Sequence, residues 1–201
     1  MGLLAGTASF TRFTVEGELP DNTWDFIAEQ VAKQSFKDID DTLDEFSLGW
    51  VSVGDMFDSK FSYGSYAAGD YVALSMRMDE RKVSSAVLKK FTAKEEARIK
   101  EEKDLRRLSR SVRLEIKERL KAELMRKSPP VPAVYDLCWN VPNGTVLFFS
   151  NSRKPIALLE DLFKETFGLS LIMQVPWNTA LQLVDEQAAA QLDILQPASL
   201  I

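Results

Sequence analysis

The stretch from Ser84 to Lys127 is SSAVLKKFTAKEEARIKEEKDLRRLSRSVRLEIKERLKAELMRK. It contains no Gly or Pro and is rich in Lys, Arg, Glu, Leu and Ala, a composition that predicts helix. Residues 81–127 carry 17 Lys and Arg against 8 Asp and Glu, whereas the rest of the chain carries 8 against 22. A basic segment on an acidic body indicates that the segment binds a partner.

Two helices are expected in this stretch. Ser84 or Ser85 can cap a first helix that runs to about Lys103. A second helix fits residues 105–126, and the prolines that follow it end it. The expected packing residues are Val87, Leu88, Phe91 and Ile99 in the first helix, and a stripe of Leu108, Val112, Ile116 and Leu120 in the second.

A row of cations follows a different face of the second helix. Its members are Arg106, Arg110, Arg113, Lys117 and Lys121, and the further candidates are Lys89, Lys90, Arg126 and Lys127. Three interpretations of this row stay open. It is a solvated face partly paired with nearby Glu side chains, a face for nucleic acid, or a face that docks on an acidic protein.

Composition excludes several classes of protein. The chain has 201 residues, 45% of them hydrophobic, so a packed core is expected. It has no histidine, which removes Ser-His-Asp and Cys-His catalysis and nearly every zinc site. The lone Cys138, interpreted as a buried small hydrophobe, fits a reducing cytoplasm. No run is long enough to span a bilayer, and the first ten residues lack the features of a signal peptide.

The acidic run at residues 38–45 could suggest a cation site. Its spacing fails the calcium-loop pattern, since the Gly at the sixth position and the Glu at the twelfth are missing. We interpret it as a solvated acidic turn with a short helix, so no metal site and no catalytic residue is expected in this run.

The flanking sequence predicts alternating strands and helices. The expected strands are 7–15, 47–53, 71–78, 134–140, 145–150 and 169–175, and the expected helices are 22–34, 154–167 and 177–192. The turn at Asn143-Gly144 predicts a hairpin, and Gly168 predicts a helix C-cap. The fold is therefore expected to be α+β. Two α/β halves with mostly antiparallel sheets, residues 1–82 and 129–201, flank an inserted basic helical pair, residues 83–128, here called the basic arm.

Three pieces of the sequence occur in a particular order and spacing. They are GWVSVGD (Gly49–Asp55), DYVALSMRMDERKVSSAVLKK (Asp70–Lys90) and DLCWNVPNGTVLFFSNSRKPIALLEDLFKETFGLSLIMQV (Asp136–Val175). Together they resemble the RdgC family of bacterial recombination-associated DNA-binding proteins, over about residues 45–180. In that family the second piece is a strand and charged turn before a Lys/Glu-rich helical segment, and the third is a hairpin followed by helix and strand.

The resemblance implies a protein that binds double-stranded DNA with little sequence preference. Family members are dimers that form a ring around the duplex, restrain recombinase-driven strand exchange by occupying DNA, and need no cofactor. The implied location is cytoplasmic and nucleoid-associated. Family members continue beyond the point that corresponds to the end of this sequence. An open dimer or another assembly is therefore an alternative to a closed ring. The family's aromatic finger has no counterpart in RKSPPVPAV (Arg126–Val134).

Three functions follow for testing. The leading one is a non-enzymatic binder of duplex DNA whose nine candidate cations contact phosphates. The second is a helical protein-interaction or dimerisation module, in which Val112 and Ile116 contact the partner. The third is a metal-dependent nuclease, which would need converging carboxylates.

Overall fold

The computed structural model describes residues 2–4, 8–61, 66–185 and 188–189. They form seven strands and five helices, in the order β1 (Thr11–Glu16), α1 (Thr23–Lys33), β2 (Phe46–Val51), β3 (Ala67–Ala68), β4 (Tyr71–Arg81), α2 (Ser85–Glu102), α3 (Arg110–Lys127), β5 (Pro130–Asn140), β6 (Thr145–Phe148), α4 (Arg153–Phe167), β7 (Ser170–Met173) and α5 (Pro176–Leu183). The predicted α+β class is confirmed. The two basic helices stand between β4 and β5, as the sequence predicts.

The strands form one hydrogen-bonded series in the order β2-β4-β5-β6-β1-β7, with β3 paired to β4. The pairs β1–β6, β1–β7, β2–β4, β3–β4 and β5–β6 are all antiparallel. Short turns join two of these pairs, β3–β4 and β5–β6, as antiparallel pairing permits, whereas β1 pairs with strands far along the chain. Gly144 adopts a φ of +58° in the turn between β5 and β6, which confirms the predicted hairpin.

The chain divides into two compact units. One comprises Met1–Gln30, Tyr66–Leu74 and Tyr135–Ile201, and the other comprises Val31–Ser65 and Ser75–Val134. Strands β4 and β5 each contribute residues to both units. The basic arm belongs entirely to the second unit. The three-part division derived from the sequence stays a prediction.

Helix α4 covers one side of the strands in the first unit. Its apolar positions recur at helical spacing, so Ile156, Leu159 and Phe163 all face inward and are buried. The ring of Trp139 from β5 packs against Phe163 and Phe167, with ring centroids 5.2 Å apart in each pair. Gly168 ends the helix in the left-handed conformation, with φ of +70°, as predicted.

In the second unit, the segment after α1 lies against β2. The N–H of Phe36 donates to the carbonyl of Trp50 at 2.9 Å, and the N–H of Trp50 donates to the carbonyl of Gln34 at 3.0 Å. A Cβ on Gly49 would lie 2.5 Å from the Cα of Phe36, so only glycine permits this approach. The glycine of the Gly-Trp-Val element is thus explained by backbone packing.

Several predicted boundaries differ from the structure. Strand β1 begins at Thr11 rather than residue 7, which lies outside the described residues, and β5 begins at Pro130 rather than residue 134. The acidic run at residues 38–45 contains turns and no helix. Helix α5 ends at Leu183, and most of the remainder of the predicted closing helix lies outside the described residues.

Candidate nucleic-acid interface

The basic arm consists of two capped helices, as predicted. The side chain of Ser84 accepts a hydrogen bond from the N–H of Val87 at 3.2 Å, and Ser109 accepts one from the N–H of Val112 at 3.3 Å. Each serine therefore satisfies one of the backbone donors that a helix N-terminus leaves without a partner. The caps fix α2 at Ser85–Glu102 and α3 at Arg110–Lys127.

The predicted start of the second helix, near residue 105, is wrong. Asp104 adopts a φ of +48°, which ends the helical path. The N–H of Leu105 turns back to the carbonyl of Lys100 at 2.9 Å, and the next helix begins only after Ser109. Arg106 therefore lies in the connection between the helices and does not share a helical face with Arg110.

Few side chains are buried in the arm. Leu108 and Ile116 are 8% and 4% exposed, and Val112 and Leu120 are half-buried, so the predicted stripe of the second helix does face inward. Helix α2 has no buried residue. The packing predicted for Val87 and Phe91 is wrong, because they are 41% and 38% exposed.

Several ion pairs lie on one side of the arm. We define the ion-paired face by Glu95, Arg98, Arg119, Glu123 and Lys127. Arg98 binds Glu95 at 2.9 Å, Arg119 of α3 reaches Glu95 of α2 at 2.5 Å, and Lys127 binds Glu123 at 2.8 Å. The hydrogen bond and the charge of Arg98, and then those of Arg119, lower the pKa of Glu95 to about 2.

The other side carries exposed cations. We define the cationic face by Lys89 of α2 and Arg110, Arg113, Lys117 and Lys121 of α3. The four α3 residues recur at i, i+3, i+7 and i+11, which places them on one side of the helix. Lys89 and Lys117 line a common groove, and Arg110, Arg113 and Lys117 line the next one. Within the described part of the chain, none of the five makes an ion pair.

The cationic face contains one acid and one cation that the sequence analysis omitted. Glu96 lines both grooves beside Lys117. Lys100 follows Lys89 by eleven positions and so lies on the same side of α2. The same helical count that identified the row on α3 could have identified Lys100, had it been applied to the first helix.

The remaining candidates lie elsewhere. Lys90 is one position from Lys89, a rotation of about 100° around the helix, and its Nζ lies 5.9 Å from the ring centre of Phe91. Arg126 and Lys127 are in the last turn of α3, where Lys127 is paired with Glu123. All nine candidates are exposed, and five of them form the cationic face. A contact of any of the nine with DNA stays a prediction.

Arg81 fastens the base of the arm. Its side chain is buried and donates to five backbone carbonyls: Asp44 at 3.0 Å, Ile39 at 2.7 Å, Asp40 at 3.2 Å, Thr42 at 3.1 Å, and Ser128. The hydroxyl of Ser128 donates to the carbonyl of Lys82 at 2.8 Å, which ties the end of α3 to the start of α2. One cation of the basic stretch is therefore structural.

The acidic run at residues 38–45 turns its carbonyls toward this guanidinium. Its side chains at Asp40, Asp41 and Asp44 are exposed. Within the described residues, no group of three or more Asp, Glu or Cys side chains is placed to hold a metal ion. A second buried cation, Arg77, binds Asp79 at 2.6 and 2.8 Å and lies 4.2 Å from the ring centre of Phe36. The hydrogen bond to Asp79 raises the pKa of Arg77.

Comparison with known proteins adds one match. A family model described as "Putative exonuclease, RdgC" matches residues 9–185 of the 201-residue chain. No curated protein matches the chain. Among the described helices, none combines the length and the apolar character that crossing a membrane requires.

Proposed function

Because the chain belongs to the RdgC family, we propose that it binds double-stranded DNA through the cationic face and modulates recombination by occupying the duplex. Family membership fits a recombination-related role. The duplex as ligand, the absence of sequence preference and a cytoplasmic, nucleoid-associated location are parts of the proposal.

The observation that carries the proposal is the division of charge between the two sides of the arm. Cations on the ion-paired face are neutralised by Glu95 and Glu123. The cations of the cationic face are exposed and make no ion pair within the described residues. A row of like charges repels itself, and a polyanion lying along the row relieves that repulsion by replacing condensed counterions.

Phosphate contact accounts for the expected lack of sequence preference. Lysine and arginine side chains that bind phosphate fix the position of a protein on DNA but carry no base information. An α3 of 18 residues is about 27 Å long, enough to follow the DNA backbone over several phosphates.

We propose further that the protein is not an enzyme. The sequence contains no histidine, and the acidic run directs its carbonyls at Arg81 while its carboxylates lie exposed on a single loop. A metal-dependent nuclease needs carboxylates that converge from different parts of the chain. The test is incubation of duplex DNA with Mg²⁺. Loss of DNA that disappears in Asp40→Ala with Asp41→Ala would contradict this part of the proposal.

The direct test of DNA binding is a titration of a short labelled duplex at three salt concentrations. We expect similar affinity for unrelated sequences and a steep loss of affinity with salt. Absence of binding at low salt would exclude the duplex as ligand and leave the arm as a protein-docking element.

A homodimer, or a ring-like homo-oligomer, is the second part of the proposal, and the ion-paired face favours it. Val87 and Phe91 are exposed there: Val87 shares a groove with Lys127, and Phe91 shares one with Leu120. Around the groove both signs of charge occur in equal number, with Lys94, Arg98 and Arg119 against Glu95, Glu101 and Glu123. A balanced rim around an apolar centre is complementary to a second copy of itself.

The dimer test changes the residues that are exposed. The sequence pattern predicts the partner contact at Val112 and Ile116, but Ile116 is buried, so a charge there would disrupt the arm itself. We expect Val87→Ser with Phe91→Ser to halve the mass measured by light scattering on a sizing column. Leu114→Ser is the control, since Leu114 is 59% exposed and lies beside the cationic face. If both variants lower the mass equally, or if neither lowers it, this surface is not the dimer interface.

A further inference from the structure

The strands of the first unit have a face that α4 does not cover. Phe13, Trp139 and Phe148 point to the side of α4 and are fully buried. Side chains alternate along a strand, so their neighbours point the opposite way. The register brings Cys138, Leu147 and Arg12 into one row across β5, β6 and β1, and Asn140, Thr145 and Thr14 into the next row.

All of these neighbours except Thr14 line a hollow of about 400 Å³, a size within the range of small-ligand sites. Two aromatic side chains, Phe10 and Tyr71, border it and are 49% and 48% exposed. Adjacent strands are about 4.8 Å apart, so the row from Cys138 to Arg12 spans about 10 Å, roughly the size of one nucleotide.

The polar lining suits a ligand that is both planar and anionic. Arg12 is the one charged residue of the hollow, and its guanidinium makes no ion pair within the described part of the chain. The side-chain oxygen of Asn140 accepts from the N–H of Asn143 at 3.0 Å, which leaves the amide NH₂ of Asn140 available to a ligand. Burial raises the pKa of the Cys138 thiol, so the floor of the hollow carries no negative charge at neutral pH.

We propose that this hollow binds a nucleotide of a single-stranded nucleic acid, with its base stacked on Tyr71 or Phe10 and its phosphate on Arg12. Every base offers a π-face, so aromatic stacking together with one cation binds single strands with little dependence on sequence. The two amides can donate to the edge of the stacked base. The site lies apart in the chain from the cationic face, so it goes beyond the duplex binding proposed above.

The experiment measures binding of labelled oligo-dT and oligo-U by fluorescence anisotropy, in the full chain. We expect Tyr71→Ala to weaken binding by between about 5-fold and about 150-fold, the range that loss of one stacked base produces. Arg12→Gln should also weaken it and flatten its salt dependence. The comparison of oligo-dT with oligo-U shows whether the preferred strand is DNA or RNA.

Trp24→Ala is the matched control, because Trp24 is an aromatic residue of the first unit that is 42% exposed and lies outside the hollow. Arg110→Ala with Arg113→Ala is measured with the same oligonucleotides. A loss of affinity in this variant would show that single strands bind to the arm. The proposal is overturned if neither oligonucleotide binds, or if Tyr71→Ala and Arg12→Gln bind as tightly as the unchanged chain. Duplex binding, measured on the same samples, tests the arm separately, so either proposal can fail while the other stands.

Discussion

The salt dependence of duplex binding reports how many cations of the arm contact phosphate. The change that tests it is Arg110→Ala with Arg113→Ala. Both side chains are exposed on α3 and make no ion pair within the described residues. Their removal therefore deletes phosphate contacts without breaking a contact that holds the arm together.

The size of the effect follows from the count of cations on the cationic face. Each phosphate neutralised contributes about −0.9 to the slope of log Kobs against log salt, so five contacts give about −4.5. Loss of two contacts changes the slope to about −2.7. When salt rises from about 50 to about 200 mM, the unchanged chain should weaken about 500-fold and the double variant only about 40-fold.

The assay is fluorescence anisotropy with two labelled duplexes of unrelated sequence, over that range of salt. The control is Lys94→Ala with Arg98→Ala, which removes the same net charge from the side of the arm that carries the ion-paired face. We expect the control to keep a slope near that of the unchanged chain. An unchanged slope in the Arg110 and Arg113 variant, or an equal change in both variants, would refute the assignment of phosphate contact to the cationic face.

Three further predictions concern stability. Arg81→Met should lower the free energy of unfolding in urea by about 3 kcal/mol, since five carbonyls lose their donor, whereas the exposed Arg106→Met should leave it within about 0.5 kcal/mol; equal values would contradict the role of Arg81 as a fastener. Gly49→Ala should cost about 2 kcal/mol or more, because its Cβ would lie 2.5 Å from facing backbone, and Gly54→Ala, which has nothing within 4 Å, should melt like the unchanged chain. The low pKa of Glu95 means that its ion pairs stabilise the fold above about pH 4.5 and are lost as pH falls toward 2, so the deficit of Glu95→Gln in urea should shrink over that interval; a constant deficit would show that charge is not its cause.

Local chemistry made much of the fold predictable from the sequence. A serine before an apolar run caps α2 at Ser84, the Asn143-Gly144 turn joins β5 to β6, and Gly168 ends α4. Each of these features depends on residues only a few positions apart. That is the distance over which propensity and hydrogen bonding act without tertiary help.

The start of α3 escaped prediction because nothing nearby forbids helix. Residues 105–108 contain Leu and Arg, which are good helix formers, and the break depends on the left-handed conformation of Asp104. Ser109 then caps the helix that follows, and Leu108 before it is buried. Propensity alone does not decide between one long helix and two.

The division of the cations into two faces could not be derived from spacing either. Arg119 is neutralised by Glu95, which lies 24 residues away in the other helix. Arg81, counted within the basic stretch, donates its hydrogen bonds to backbone carbonyls of a segment about 40 residues earlier. Which cations remain available to a ligand is thus a property of the folded arm, although the α3 row of the cationic face was identified correctly as a helical set.

The sparse interior of the arm affects how it should behave before and after it meets a ligand. With Ile116 as the one buried side chain of α3 and none in α2, local opening of the two helices needs far less free energy than unfolding of the rest. Backbone amides of the arm should therefore exchange with deuterated water faster than those of β1 or α4. A polyanion that contacts both Lys89 on one helix and Lys117 on the other would hold the two helices together, as a buried core does elsewhere in the chain. Slowed exchange throughout the arm would then accompany binding, and part of the binding free energy would be spent on ordering the two helices.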